Sequence, residues 1–215
     1  MTRGKSIRSV MEHKSLKNKL TIVVLGRSGS GKGTQVKFIL QRLGRGAYHL
    51  ETGRFIREVV KRKKNATTKI VKEITERGEL TPPWFAAFTW LKKIIEDGQA
   101  DKNLVADGSP RSLWEAELYD NVIKVHGRIL PLCIYLEVSL KEATKRLLLR
   151  GRVDDTSSVI RNRMTFFKRD VLPAIRYFKN RGRLIKVNGN LSPDIVWREI
   201  DQALAKRLGE KWPNR

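Results

Sequence analysis

The sequence has little of the chemistry that metal centres and disulfide bonds need. Its 215 residues contain one cysteine, Cys133, and three widely separated histidines, at positions 13, 49 and 126. A single cysteine cannot form an intrachain disulfide, and no cysteine cluster exists for zinc. Cys133 lies inside the apolar run Leu130–Val138, so we expect it in the core rather than as an exposed nucleophile. Disulfide frameworks, zinc sites and histidine metal sites are therefore not indicated.

Long apolar segments and acidic residues are also scarce. No apolar run is long enough to cross a bilayer, and the N-terminus has no apolar signal-peptide core. We therefore expect a cytoplasmic protein without a membrane span. Lys and Arg number 45 against 22 Asp and Glu, for a formal net charge of +23. This excess predicts anionic partners, but charge alone does not distinguish nucleotides from nucleic acid or acidic membrane surfaces.

The N-terminal stretch, residues 1–19, is basic and polar, and we expect a disordered tail there. Mitochondrial transit peptides are also poor in acidic residues and carry Arg and Ser, so targeting to mitochondria is the minor alternative. Residues 20–209 have a length that suits one domain, which we expect to be monomeric.

A glycine-rich segment, Gly26–Gln35 (GRSGSGKGTQ), follows Leu20–Leu25, an apolar run of strand length. The glycines let backbone N–H groups approach a polyphosphate where a helix begins, and the helix dipole is positive there. Lys32 would reach the β- and γ-phosphate oxygens, and a following hydroxyl would help to hold Mg²⁺. The usual pattern ends in GK[ST], whereas here Gly33 intervenes and Thr34 supplies the hydroxyl. Apolar residues then continue at helical spacing: Val36, Ile39, Leu40 and Leu43.

Further short apolar segments alternate with helical patterns along the chain. Strands that alternate with helices predict an α/β fold of three layers, with a five-stranded parallel sheet flanked by helices. Asp107 ends one of these strands, at the edge of the sheet where open α/β folds bind ligands. After the first strand, the predicted strands are Ala47–Glu51, Asn103–Asp107, Leu130–Val138 and Leu184–Val187.

A helix that begins near Pro82 and Pro83 carries large apolar residues along one face. We expect this face to be buried in the core rather than to serve as a stacking platform for nucleic-acid bases. Its residues are Trp84, Phe88, Leu91 and Ile95.

The GKGT ending of the loop resembles that of the adenylate kinase family, and four further segments are similar to motifs of that family in the same order. Residues 51–58 (ETGRFIRE) resemble STGDLLR, and residues 107–111 (DGSPR) resemble DGFPR. Residues 146–155 (RLLLRGRVDD) are similar to an arginine-rich segment, and residues 160–164 (IRNRM) resemble IKKRL. Each motif is weak alone, but together they cover nearly all of the chain from Leu20 onward.

The resemblance implies a P-loop phosphotransferase that moves the γ-phosphoryl group of Mg-ATP to a nucleoside monophosphate. Such chemistry leaves little covalent work to the protein, so charge neutralisation by planar arginine forks is expected. The implied catalytic residues are Lys32, Arg111, Arg150, Arg152 and Arg163. The implied ATP-binding residues are Gly29, Ser30, Gly31, Lys32, Gly33, Thr34 and Arg146, which stacks on the base. The implied acceptor-binding residues are Thr52, Gly53, Arg57, Gly108, Arg111, Glu115, Arg152 and Arg163. Mg²⁺ would be held, partly through water, by Asp107 and Thr34.

The resemblance also implies a division of the domain. The core would comprise residues 20–51, 100–149 and 155–209, with a small helical subdomain for the monophosphate at about 52–80. A lid at about 150–154 would be very short, because Arg150 and Arg152 are separated only by Gly151. Closing lids keep water from the transferred phosphoryl group, and adenylate kinases are a standard example.

Two departures from the family bear on the acceptor base. The position of the glutamine that reads adenine is Glu115 here, and the aromatic residue of DGFPR is replaced by Ser109. An ionised carboxylate only accepts hydrogen bonds, which suits guanine better than adenine, unless Glu115 faces solvent and a neighbour reads the base. Thr52 matches the members that use AMP, whereas pyrimidine-specific relatives tend to carry alanine. We therefore expect AMP, with GMP or another monophosphate as the alternative.

A hypothesis from a different class is a basic nucleic-acid-binding protein that retains a nucleotide-binding fold. The charge excess would support it, and binding that falls steeply with salt would be its mark. The two hypotheses are compatible, since a kinase of this charge would bind nucleic acid weakly and without sequence preference.

Overall fold

Five parallel strands form the centre of the protein. The structure, a computed structural model, describes residues 16–151 and 156–213. The strands are arranged in the order β2-β3-β1-β4-β5, and all four pairings are parallel. This confirms the predicted α/β fold, and each predicted strand forms within two residues of its expected ends. The strands are β1 (Thr21–Leu25), β2 (Ala47–Glu51), β3 (Asn103–Asp107), β4 (Leu132–Glu137) and β5 (Leu184–Asn188).

Helices cover both faces of the sheet. A π-helical segment, Phe167–Val171, joins two of them just before Pro173. Pro173 cannot donate a backbone hydrogen bond, so a regular helical ladder cannot run through it unchanged. The α-helices in the described part of the chain are α1 (Lys32–Leu43), α2 (Thr52–Arg62), α3 (Ala66–Glu76), α4 (Pro83–Ile95), α5 (Leu113–Val125), α6 (Leu140–Arg150), α7 (Ser157–Phe166), α8 (Leu172–Asn180) and α9 (Pro193–Leu208).

Alternate residues of the central strands enter two apolar clusters, one on each face of the sheet. Val23 of β1 packs with α4, α5 and α8, whereas Val24 packs with α1 and α9. Burial on both faces explains why β1 is apolar at nearly every position. Cys133 of β4 is fully buried, as predicted, and burial raises the pKa of its thiol. The thiol is therefore inert under ordinary conditions.

The predicted buried face of α4 is wrong. Trp84, Phe88 and Ile95 are 56%, 49% and 71% exposed, and of the four predicted residues Leu91 alone packs against the core. The opposite face of the helix is the buried one. On that face the Trp90 ring packs against the Tyr119 ring of α5, with ring centroids 4.2 Å apart. Both faces of α4 are apolar, so helical spacing alone does not select between them. The buried residues of α4 are Phe85, Ala86, Ala87, Thr89, Trp90 and Ile94.

A third, smaller apolar cluster joins α2, α3 and the start of α4. It contains Ile56, Val71, Phe85 and Ala86 and is separate from the two sheet clusters. The predicted division into core, acceptor subdomain and lid stays a prediction. Residues 152–154 of the lid and 1–15 of the basic tail lie outside the described residues. Within the described ranges, no helix combines the length and the apolarity that crossing a membrane requires.

Candidate active site

The glycine-rich loop occupies the turn between β1 and α1. Gly29 and Gly31 have φ of +82° and +87°, in the left-handed region that favours glycine. A Cβ on Gly29 would also collide with the Ala143 carbonyl oxygen, so both the backbone angle and the available space require glycine at this position. Helix α1 starts after Gly31 with no side-chain cap and no acidic residue in its first turn. Its first N–H groups are thus available to an anion.

Lys32 folds back across this loop. Its Nζ donates to the carbonyl oxygens of Gly26 and Arg27, at 2.9 and 3.0 Å. Burial lowers the pKa of Lys32 to about 8, with Asp107 opposing this shift and Arg111 adding to it. A buried ammonium beside other cations is poorly stabilised without an anion. A bound polyphosphate would supply the missing negative charge.

A cavity of about 820 Å³ opens in front of the loop. Lys32 lines it together with four of the arginines selected from the sequence: Arg57, Arg111, Arg150 and Arg163. These side chains come from the loop, from α2, from the segment after β3, and from α6 and α7. Gly53 and Gly108, which the family resemblance assigns to the acceptor, also line the cavity. Residues 152–155, which include the predicted Arg152, lie outside the described residues.

Sequence reasoning missed several residues of this cavity. Lys61, Lys64 and Lys72 add positive charge on the side of α2 and α3, and Phe166 and Phe167 add an aromatic wall. Lys61 and Lys64 belong to the basic run KRKK, which is the one sequence signal that could have found them. The aromatic pair has no such signal, because it lies in an ordinary amphipathic pattern.

Arg111 is held by the segment that follows β3. Its Nε donates to the Gly108 carbonyl oxygen at 2.6 Å, and its backbone N–H donates to Glu115 Oε2 at 2.6 Å. Burial lowers the pKa of the Arg111 guanidinium, while Glu115 and Asp107 oppose that shift. An arginine stays protonated under such conditions, so Arg111 presents a fixed, partly desolvated charge to the cavity.

Glu115 is 1% exposed, so the alternative that it faces solvent is wrong. Its Oε1 accepts hydrogen bonds from Trp90 Nε1, at 3.1 Å, and from the Ser109 hydroxyl. Burial raises the pKa of Glu115, and the Ser109 and Arg111 hydrogen bonds oppose this. Ser109, which replaces an aromatic residue of the family motif, therefore donates one of the hydrogen bonds that stabilise the buried Glu115 carboxylate.

Thr52 starts α2 and is fully buried beside Glu115, at a crevice too tight to hold a water molecule. Among the described residues, its hydroxyl has no hydrogen-bond partner. A buried polar group of this kind normally bonds to something, and a ligand would satisfy it. Arg57, one turn further along α2, is mostly exposed and pairs with Glu51 at 3.5 Å.

Arg146 lies on the other side of the glycine-rich loop. Its Nε donates to Glu142 at 2.7 Å, and its Nη1 donates to the Gly189 carbonyl oxygen at 2.8 Å. With Ser30 and Thr34 it lines a further cavity of about 370 Å³ that extends to the start of α9. The loop therefore lies between two cavities. Of the predicted ATP-binding residues, Lys32 lines the larger one, and Ser30, Gly31, Thr34 and Arg146 line the second.

The donors present fit Mg²⁺ as a partner of bound phosphate rather than as a resident metal. The described residues hold no cluster of three or more His, Cys, Asp or Glu that could bind a metal alone. Mg²⁺ in phosphate sites needs only one or two protein ligands, because phosphates and water supply the rest. Asp107 ends β3 directly before Gly108, which lines the large cavity. The Ser30 hydroxyl is buried in the loop without a partner among the described residues.

Comparisons with known proteins agree with this geometry. The family model for adenylate kinase matches residues 24–183. The chain is 35% identical over 196 residues to UMP-CMP kinase 1 of Oryza sativa subsp. japonica, which covers 90% of this chain and 77% of the relative. It is 33% identical to adenylate kinase of Prochlorococcus marinus (strain MIT 9301), covering 86% and 98%. It is also 33% identical to adenylate kinase isoenzyme 1 of Bos taurus, covering 88% and 96%.

Proposed function

The chain belongs to the adenylate kinase family and is a nucleoside monophosphate kinase, and we propose that its favoured reaction is the transfer of the γ-phosphoryl group of Mg-ATP to AMP. The observation that carries this proposal is the arrangement of two cavities around one glycine-rich loop. Lys32, Arg111, Arg150 and Arg163 meet in the larger cavity, and Arg146 lines the other. A donor and an acceptor could thus bring their phosphates together at the loop.

In the proposed mechanism the protein acts by alignment and charge. Lys32 exchanges its two bonds with loop carbonyl groups for bonds with the β- and γ-phosphates, while N–H groups at the start of α1 hold the phosphate chain. Arg111, Arg150, Arg163 and Arg152 neutralise the oxygens of the moving phosphoryl group. Arg57 and Gly53 bind the acceptor phosphate, and Gly108 leaves room for it.

Mg²⁺ bound with ATP would supply positive charge that offsets the negative charge of the phosphates. Asp107 and Thr34 would hold it, partly through water. Because Asp107 is a single carboxylate, the metal is expected to arrive with the nucleotide.

The preference for AMP rests on Thr52 and Glu115. The hydroxyl of Thr52, unpartnered among the described residues, can both donate and accept, and it would meet a base once the side chains around it move apart to make room. Glu115 already accepts bonds from Trp90, Ser109 and Arg111, which limits what it can offer to guanine. GMP remains the alternative if the carboxylate turns toward the base, and a relative at 35% identity is named for UMP and CMP.

An assay of four acceptors tests the proposal. ADP formation from ATP is measured with AMP, GMP, CMP and UMP for the wild type and for Glu115→Gln. We expect the highest kcat/KM with AMP, and a wild type without turnover on any acceptor would contradict a kinase. If Glu115→Gln leaves the order of acceptors unchanged, Glu115 does not read the base.

The remaining expectations stay predictions. Weak binding of nucleic acid through the basic surface would show a steep dependence on salt. A monomeric state and a cytoplasmic location are likewise proposed on the family resemblance and the sequence alone.

A further inference from the structure

Arg27, in the glycine-rich loop, makes two contacts that the proposed chemistry does not use. Its carbonyl oxygen accepts the hydrogen bond from Lys32 Nζ at 3.0 Å. Its guanidinium carbon lies 5.0 Å from the centroid of the Phe167 ring. A cation at this distance is attracted to the face of an aromatic ring, and more strongly where water is displaced. Arg27 thus holds Lys32 through its backbone and Phe167 through its side chain.

Phe167 is fixed from two sides. Its buried ring stacks on Tyr135 of β4, with centroids 6.5 Å apart and planes 25° apart, and it also contacts Arg27. It begins the π-helical segment between α7 and α8. Such segments are frequent at functional sites, because they turn side chains away from the regular helical positions. Here the ring lines the large cavity with Lys32 and Arg163.

The contact between Arg27 and Phe167 joins two phosphate-binding elements. Lys32 belongs to the loop, and Arg163 lies four residues before Phe167, one turn earlier along the same helical run. A displacement of about 1 Å between reacting groups can cost about a hundredfold in rate. The spacing of the loop from α7 therefore matters to catalysis, and the pair is placed to set it.

Arg27 is better placed for this role than for binding phosphate directly. Among the described residues that line the large cavity, its neighbours Gly26 and Ser28 are present and Arg27 is not. Its Nε is buried without a hydrogen-bond partner in the described part of the chain, which agrees with a guanidinium turned toward the ring.

We propose that Arg27 and Phe167 are positioning residues that hold the Lys32 loop at a fixed distance from the helix carrying Arg163. We further propose that the Phe167 ring keeps water from the transferred phosphoryl group, which a very short lid would cover poorly. This inference rests on the proposed kinase activity.

The test compares Arg27→Met, Phe167→Leu and the double variant in steady-state kinetics with ATP and AMP. Each single variant is expected to lower kcat about tenfold and to change both KM values less than about twofold. The share of ATP lost to hydrolysis should rise in each. Because the two residues act as one contact, the double variant should be no more than about twofold slower than the worse single variant.

Two further variants sharpen the test. Phe167→Tyr keeps the aromatic face and should recover most of the rate lost in Phe167→Leu. Arg181→Met removes a similar contact, with Arg181 3.6 Å from the Tyr177 ring on α8, and should leave kcat unchanged. The proposal is overturned if the loss of kcat in the double variant equals the product of the two single losses. It is also overturned if Arg27→Met leaves kcat unchanged. The wild-type kcat tests the proposed kinase activity itself, whereas the ratios of variant to wild-type kcat test the roles of Arg27 and Phe167.

Discussion

Trp90 of α4 donates its indole N–H to the carboxyl group of Glu115 on α5, at 3.1 Å. The same carboxyl group accepts from the Ser109 hydroxyl and from the Arg111 backbone N–H. One buried side chain on α5 thereby satisfies three donors, one from α4 and two from the segment that follows β3. Glu115, which the family resemblance assigns to base recognition, therefore also links α5 to α4 and to the segment that follows β3.

Glu115→Gln is expected to destabilise the protein by about 1–3 kcal/mol. An amide has one acceptor oxygen where the carboxylate has two, so one of the three buried donors loses its partner. Urea denaturation measures the change in the free energy of unfolding. Glu117→Gln, at an exposed position of the same helix, is the matched control and should change little. Equal effects of the two substitutions would contradict the stabilising role of the Glu115 hydrogen bonds.

Binding of ATP is expected to take up a proton above the Lys32 pKa of about 8. The free protein loses the Lys32 charge as the pH rises through that value, whereas bound phosphates hold the proton and raise the pKa. The affinity for ATP should therefore fall as the pH rises above about 8. Calorimetric titrations in two buffers of different ionisation enthalpy measure the uptake. Uptake that persists in Lys32→Met would assign the proton to another group.

Lys32→Met should reduce kcat at least about a hundredfold, because it removes a charge that stabilises the transferring phosphoryl group. The ADP-forming assay with AMP measures the loss. Lys37→Met changes an exposed lysine of the same helix and should retain the wild-type rate. A Lys32→Met enzyme with wild-type kcat would refute the assigned mechanism.

The two faces of α4 should respond very differently to truncation. Phe85→Ala removes a buried ring and is expected to cost about 3–5 kcal/mol in the free energy of unfolding. Phe88→Ala, on the half-exposed face three residues away, should cost less than about 1 kcal/mol. Chemical denaturation of both variants compares them directly. A larger loss in Phe88→Ala than in Phe85→Ala would contradict this orientation of α4.

Much of the fold could be predicted because its signals are local. The buried strand β1 is a continuous apolar run, and Gly26–Gln35 marks the turn into α1 without reference to any distant residue. The meeting of Lys32 and Arg111 at one cavity also follows from the sequence, whereas the place of Arg163 on α7 is implied by the family resemblance alone. Parallel strands end at one edge of the sheet, so residues that follow them come together.

The failures depend on partners distant in the sequence. The core face of α4 is decided by Trp90, whose indole needs the Glu115 carboxyl group 25 residues away. The contact of Arg27 with Phe167 depends on the π-helical segment, which no spacing rule announced. In both cases the local sequence pattern fits more than one arrangement, and contacts with distant residues decide which one forms.

The glycine-rich loop lies between the two cavities, and this has a consequence for the reverse direction. In the reverse reaction the nucleoside diphosphate products must bind where donor and acceptor stood, with the same lysine and arginines between them. The equilibrium constant belongs to the nucleotides alone, so no substitution in the protein alters it. Any change at Lys32 must then lower the forward and the reverse rates at limiting nucleotide concentrations by the same factor. The loop therefore governs how fast the nucleotide pool reaches balance, and never where that balance lies.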